Sequence, residues 1–392
     1  MTHNNWPTVK LGNLITRAKS QTAGSKEYPV LSMTMEHGMV LQKERFKKRI
    51  AGKNTEKYKV VENGQLVVGF PIDEGVLDFQ TLVQAGIVSP AYKIWELKDS
   101  SVCNLNYLRR YLRSNIAISY YRARLQGTTA RRRSLTDQAF LQLPVPLPPL
   151  EEQRRIAEML DATSRMIETT KTVEDNLENF AKAAYSEFFS GFESPEVLLT
   201  EVGKSKDAIK CGPFGTQLKQ ADFQTQGVPL IGIKSVNSRF ELSPWEFLAR
   251  EKAEQLASYD VRPGDILMTR KGTIGNCSLY PRSLPHGIMH SDLLRIRVDN
   301  PHINPAFLLH QLHYDHCIQS QIRKLSPGAV MPGINVGKLK KLKIRVPPIE
   351  FQERFAKLIQ ASDQTRAIVR AKLKALIELQ SSLSTRAFTG EL

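Results

Sequence analysis

Asp73 or Asp78, followed by Glu96-Leu97-Lys98, has the spacing of a carboxylate pair with a lysine. Such a set can surround Mg²⁺, which clamps the attacking and leaving oxygens of phosphodiester cleavage. The competing reading is a strand, Tyr92–Leu97, running into an exposed turn at Lys98-Asp99-Ser100. Because Asp…Glu-x-Lys arises often by chance, the strand is preferred. His310, His313 and His316 beside Cys317 suggest metal ligands. Residues three and six apart drift around a helix axis, however, and Leu308, Leu309 and Leu312 claim the buried face. Surface histidines are expected there, and no metal. An adenine methyltransferase needs [Asn/Asp]-Pro-Pro-[Tyr/Phe], but Leu147-Pro148-Pro149-Leu150 and Val346-Pro347-Pro348-Ile349 carry the wrong flanking residues. No Gly-x-Gly-x-x-Gly loop occurs, and Gly328-x4-Gly333 is followed by Ile334 where a P-loop needs lysine. No catalytic residue and no cofactor is therefore expected.

Basic loops are the better candidates. The chain carries 55 Lys+Arg against 39 Asp+Glu, a net +16. A surplus of that size favours polyanions, because each neutralised phosphate releases condensed counterions. Thr128, Thr129, Arg131, Arg132 and Arg133 form one candidate face. Lys210, Gln217, Lys219, Arg270, Lys271, Thr273, Lys324 and Asn335 form another. Arginine grips phosphate or reads guanine O6/N7, while Gln and Asn read adenine. For Arg131–Arg133 the bland alternative is a solvated basic turn. Four scattered cysteines with no Cys-x-x-Cys pair argue against a zinc ribbon or disulfide framework, and no run of about 18 apolar residues exists to span a membrane. A cytoplasmic location is expected.

These loops must be positioned by something, and the chain is doubled. Pro148-Pro149-Leu150-Glu151-Glu152-Gln153-Arg154-Arg155-Ile156-Ala157 returns as Pro347-Pro348-Ile349-Glu350-Phe351-Gln352-Glu353-Arg354-Phe355-Ala356, at an offset of 199. The offset still holds where Phe189-Ser190-Gly191 meets Phe388-Thr389-Gly390. Residues 150–190 and 349–389 contain no glycine or proline, although the chain holds 23 and 21 of them. Two such spans, with proline ahead, acids in the first turn and glycine behind, predict two long helices. The first has an apolar stripe at Ile156, Leu160, Thr163, Ile167, Thr170, Val173, Leu177, Phe180, Ala184 and Phe188. The second has one at Phe355, Ile359, Ser362, Ile368, Val369, Leu373, Leu376, Leu379 and Leu383. One stripe per helix reads as a coiled-coil-like seam.

The regions before each rod correspond more faintly. Val61-Glu62-Asn63-Gly64-Gln65-Leu66-Val67 matches Val261-Arg262-Pro263-Gly264-Asp265-Ile266-Leu267 at offset 200. Short β-type runs (Leu66–Phe70, Val228–Ile233, Asp265–Thr269, Leu293–Val298) and helices at Leu105–Leu112 and Pro305–Leu312 are expected. The predicted class is α+β. Two mostly-β domains, residues 1–147 and 192–346, are separated by long antiparallel helices, residues 148–191 and 347–392, in a pseudo-twofold arrangement.

The paired Pro-Pro-[Leu/Ile]-Glu-x-Gln segments, each closing a globule and opening a long helix, resemble the specificity subunits of type I restriction-modification systems. Ile209-Lys210-Cys211-Gly212-Pro213-Phe214-Gly215-Thr216-Gln217-Leu218-Lys219 looks like the opening of a target-recognition domain. Pro263-Gly264-Asp265-Ile266-Leu267-Met268-Thr269-Arg270-Lys271-Gly272-Thr273 looks like its later part. The first globule departs from this, having no Gly-Pro-Phe-Gly counterpart. The resemblance implies a bipartite duplex-DNA target, one half per globule. It also implies two methyltransferase subunits docked on the helices, and restriction/translocase subunits in the full complex. A related type II system, a coiled-coil adaptor and a self-sufficient Mg²⁺ nuclease are the alternatives.

Overall fold

The computed structural model describes residues 6–45, 55–126, 134–189, 191–241, 246–325 and 333–392. Two compact units are present, Met1–Lys171 with Ala371–Leu392, and Thr172–Arg370.

The first unit enters on β1 (Thr8–Lys10), α1 (Leu11–Leu14) and β2 (Ile15–Arg17). A hairpin of β3 (Leu31–Thr34) and β4 (Gly38–Leu41) is followed by α2 (Gln42–Arg45). Next come β5 (Lys59–Glu62), β6 (Leu66–Val68), β7 (Leu77–Phe79), β8 (Ala85–Val88) and β9 (Lys93–Leu97). Helices α3 (Leu105–Leu112), α4 (Asn115–Arg124) and α5 (Asp137–Leu141) lead to β10 (Pro144–Pro146). β10 pairs antiparallel with β1, closing the domain where it opened. The chain then enters α6 (Leu150–Phe189).

The second unit holds β11 (Glu196–Leu198), β12 (Ile209–Cys211), β13 (Phe223–Gln224), β14 (Val228–Ile231), α7 (Ile233–Asn237) and β15 (Phe247–Leu248). They are followed by α8 (Arg250–Gln255), β16 (Asp260–Val261), β17 (Ile266–Thr269), β18 (Cys277–Leu279), β19 (Gly287–Met289) and β20 (Leu293–Ile296). Helices α9 (Pro305–Tyr314), α10 (His316–Lys324) and α11 (Val336–Leu339), strand β21 (Lys343–Arg345) and α12 (Ile349–Thr389) complete it.

The faint sequence repeat is a repeat of the central topology. The central sheet runs β2-β9-β6-β7 in one unit and β12-β20-β17-β18 in the other. β11 closes on β21 as β1 does on β10. Val61 pairs with Gly86, and Val261 with Gly287. Even the parallel contact returns, as Val30 with Ile87 and Leu230 with Ile288. The units part company just after it. The first makes the β3–β4 hairpin, whereas the second makes α7 and pairs β15 with both β13 and β14.

The proline- and glycine-free spans are unbroken helices of 40 and 41 residues. Gly191 and Gly390 follow them at φ +78° and +76°, the left-handed geometry that frees a helix C-terminus. In the first unit Gln380 Nε2 donates to Ser164 Oγ at 2.6 Å, while Phe388 packs in the core containing Ile156. In the second, Arg370 meets Glu174 at 2.5 Å, and Phe355 meets Phe189 with ring centroids 5.2 Å apart. Residue numbers rise along one helix as those of their partners fall along the other, so the helices pack antiparallel.

The repeated motif glutamine joins each helix to its domain. Gln153 Nε2 donates to the Pro148 and Val102 carbonyls at 2.8 and 3.0 Å, and its Oε1 accepts from the Asn104 amide at 2.8 Å. Gln352 makes the same set with Pro347, His302 and Asn304, at 2.6, 2.9 and 2.9 Å. Both side chains are wholly buried. Asn104 and Asn304 in turn cap α3 and α9. Aromatic clusters seal each junction: Tyr107 and Tyr111 against Phe388, and Phe307 against Phe189 with Tyr185 against Phe189 and Phe355.

Two expectations need correction. The helical stripe does not stay buried: Val173, Phe180, Leu379 and Ile368 (71% exposed) face solvent, while Ala181, Tyr185 and Arg366 are buried. A regular three-four spacing drifts around a long helix, and polar pairs take over the middle of the seam. The histidines are not a surface set either. His310 is buried, stacked on Tyr314 and edge-on to Phe355, and burial pushes its pKa down to about 4 against the pull of Asp363. His313 Nε2 lies 2.8 Å from the Cys277 carbonyl, and only His316 is exposed. Leu308 and Leu312 do fill the buried face; Leu309 is only half-buried.

Candidate nucleic-acid interface

In the second unit the ends of β12, β17 and β20 and the approach to α11 converge on Arg270. Its Nη1 donates to the Ser291 carbonyl at 3.2 Å and its Nε to the Ile334 carbonyl at 3.4 Å. The guanidinium lies 4.9 Å from the centroid of the Phe214 ring. Phe214 is 55% exposed, displayed by a turn in which Gly215 takes φ +57°. Gly212 lets that turn close, since a Cβ there would stand 2.1 Å from the His290 carbonyl oxygen.

Of the neighbouring candidates, Gln217, Lys210, Lys271 and Thr273 make named contacts here. Gln217 Oε1 accepts from Tyr259 Oη at 3.0 Å and from the Phe214 amide at 3.3 Å. Lys210 lies 4.9 Å over the Tyr259 ring and 3.1 Å from Asp207. Lys271 pairs with Asp292 at 2.8 Å. Thr273 Oγ1 donates to Asn237 Oδ1 at 2.9 Å, and Asn276 Nδ2 donates to the same oxygen at 2.7 Å. Lys219 and Lys324 are exposed, Lys324 as the last residue of α10. Asn335 acts locally, its Oδ1 capping α11 by accepting from the Lys338 amide at 2.8 Å.

Thr128, Thr129, Arg131, Arg132 and Arg133 lie outside the described residues. Their flanks are tied, Gln126 and Ser134 exchanging backbone hydrogen bonds at 3.1 and 3.0 Å. Thr136 caps α5 just beyond, as Asn335 caps α11. At the position equivalent to Arg270, just past β6, the first unit has Phe70, 49% exposed. One backbone plan thus displays a guanidinium in one unit and a phenyl ring in the other.

Two residues of the nuclease reading, Asp78 and Lys98, are used elsewhere. Asp78 is fully buried, bound by Arg109 at 2.6 and 2.9 Å and accepting from the Met39 amide at 2.9 Å. Lys98 Nζ sits on the Gly12 carbonyl at 2.6 Å. Among the described residues no group of three His, Cys, Asp or Glu side chains is placed to hold a metal ion. No helix among them is long and apolar enough to cross a membrane. Asn237, Asn276 and Tyr259 are further members of this face: Asn276 lies on the same hairpin as Thr273, whereas Asn237 and Tyr259 arrive from other parts of the chain.

Fold and faces together define a duplicated protein, in which two units sharing a central strand order carry different surfaces. The model of the type I restriction modification DNA specificity domain matches residues 4–179 and 199–379. The chain is 23% identical to the type I restriction enzyme MjaVIII specificity subunit of Methanocaldococcus jannaschii, covering 99% of this chain and 93% of the relative. It superposes on the type I restriction-modification S subunit of M. genitalium with TM-score 0.61 and 16% identity, covering 99% and 97%. A chain from a structure of type I R-M complex assembly and conformational transition gives TM-score 0.54 and 17% identity, covering 99% of each. The chain belongs to the family of type I restriction-modification DNA specificity subunits.

Proposed function

We propose that this subunit reads a bipartite duplex-DNA target, one half through residues 1–147 and the other through residues 192–346. Residues 148–191 and 347–392 space the two domains and dock two methyltransferase subunits. Restriction/translocase subunits join in the full complex. The chain itself carries out no catalysis and acts in the cytoplasm. The observation that carries the reading is the doubled strand order with divergent faces: Phe70 against Arg270, and the β3–β4 hairpin against α7. Exposed apolar side chains on the helices, including Met166, Phe180, Ile368 and Leu379, offer surface suited to a protein partner.

A gel shift with the purified methyltransferase partner separates this reading from that of a coiled-coil adaptor, which would leave duplex DNA unshifted. Neutralising Arg131, Arg132 and Arg133 together is expected to weaken binding and to flatten its salt dependence by up to about three counterion units. An unchanged slope would assign them to a solvated turn. Incubated alone with plasmid and Mg²⁺, the chain is expected to leave the DNA intact. Cleavage that disappears in Glu96→Gln, with thermal stability unchanged, would instead establish a nuclease.

A further inference from the structure

In the second unit the long helices reach the divergent part of the recognition domain through one carboxylate. Glu178 of α6 accepts from Tyr314 Oη at 2.7 Å and from Arg239 Nη2 at 3.0 Å, and it is ion-paired with the buried Arg366 of α12. Burial pushes the Glu178 carboxyl up, but Tyr314, Arg239 and Arg366 outweigh it and hold the pKa at about 2.

What it holds is an unfavourable turn. Arg239 and Phe240 have φ +52° and +64°, the only non-glycine residues with positive φ among those described. Successive L-residues leave that region unless their surroundings fix them. Here Glu178 fixes Arg239, and the Phe240 ring stands edge-on to Tyr280 at 5.1 Å. Arg370 adds a second tie, to Glu241 at 2.8 Å and to Glu174 at 2.5 Å. Two residues before Arg239, Asn237 ends α7 and receives Thr273 and Asn276 from the β17–β18 hairpin, which also carries Arg270 and Lys271. Contacts therefore run from helix to hairpin through Glu178, Arg239, Asn237 and Thr273.

The first unit has its own tie at the equivalent helix position. Lys171, 199 residues before Arg370, pairs with Glu36 in the β3–β4 turn. Arg113 holds the Met35 and Glu36 carbonyls at 2.7 and 3.3 Å. Two unlike segments, a hairpin and a helix-turn, are thus tied to one repeated place on the helices. Structural support of a generic kind would not need the tie to land on the segment where the domains differ.

We infer that Glu178 is a positioning residue for DNA recognition. Through Arg239 it holds the turn that seats Asn237 against the 270–276 hairpin, setting how the second domain presents that hairpin to its half-site. The inference rests on the reading that residues 192–346 recognise one half of the target.

Arg239→Gly is the discriminating variant, because glycine takes the left-handed conformation freely. The full chain would be assembled with its methyltransferase partner and titrated with duplexes bearing the host methylation motif or single-base changes in either half. Thermal stability is expected to hold or rise. Discrimination is expected to fall about tenfold, the scale of one lost base preference, in the half assigned to residues 192–346 and not in the other. Glu178→Gln should reproduce that one-sided loss. Unchanged discrimination in both variants, or equal loss in both halves, would overturn the inference. Were the wild-type complex itself to show no preference in either half, the two-domain reading would fail first, a result distinct from either of these.

Discussion

Exchanging residues 1–147 for the corresponding domain of a relative is expected to change one half of the methylated motif completely and to leave the other half untouched. Each domain closes on itself by pairing its first and last strands, β1 with β10 and β11 with β21, so a domain can be replaced at its neck. The neck contacts are repeated: the helix-start glutamine, the asparagine cap and the aromatic cluster recur in both units. A transplanted domain that brings its own asparagine cap therefore meets the partners it needs. Sequencing of methylated DNA from cells carrying the hybrid reads the outcome. A change in both halves, or in neither, would contradict independent reading.

Removing the buried glutamine should have the largest effect on stability. Gln352→Ala strands the Asn304 amide and takes the donor from the Pro347 and His302 carbonyls. Buried partners left unmade cost about 1–3 kcal/mol each and are not additive, so a loss of about 3–5 kcal/mol is expected, a large share of a typical domain's stability. Gln153→Ala should act alike on the first unit. Gln352→Glu gives a sharper test. At neutral pH a carboxylate would face two carbonyl oxygens, so its pKa in the folded state would rise above the unfolded value. The folded state then binds the extra proton, and the variant should regain stability as pH falls through that raised pKa. Denaturant midpoints against pH measure this. An Ala variant within about 0.5 kcal/mol of wild type would show that the glutamine is dispensable.

What the sequence disclosed and what it hid follow from the range of the interactions. The long helices were legible because their causes are local: no proline or glycine for about forty residues, and a glycine free to turn left-handed at each end. Helix α3 falls on the expected residues, Leu105–Leu112, for the same reason. The motif glutamines were visible as a repeat, but their purpose was not, because Asn104 and Asn304 lie about fifty residues away in sequence. Sequence pattern put His310 and His313 at the surface; packing against Tyr314, Phe355 and Cys277 put them inside. The candidate face was half legible. Arg270, Lys271 and Thr273 declare themselves as a polar hairpin tip, whereas Asn237 meets Thr273, and Tyr259 meets Gln217, only through tertiary contacts. The seam between the helices misled the three-four pattern because Arg366 and Glu178 occupy it as an ion pair.

The most direct test is single-molecule sequencing of host DNA with and without the gene for this chain. Two half-sites separated by unspecified base pairs should be methylated in the first sample and bare in the second, with the methyltransferase gene intact in both. If the same modified motif persists when the chain is gone, the specificity lies elsewhere and the account is wrong.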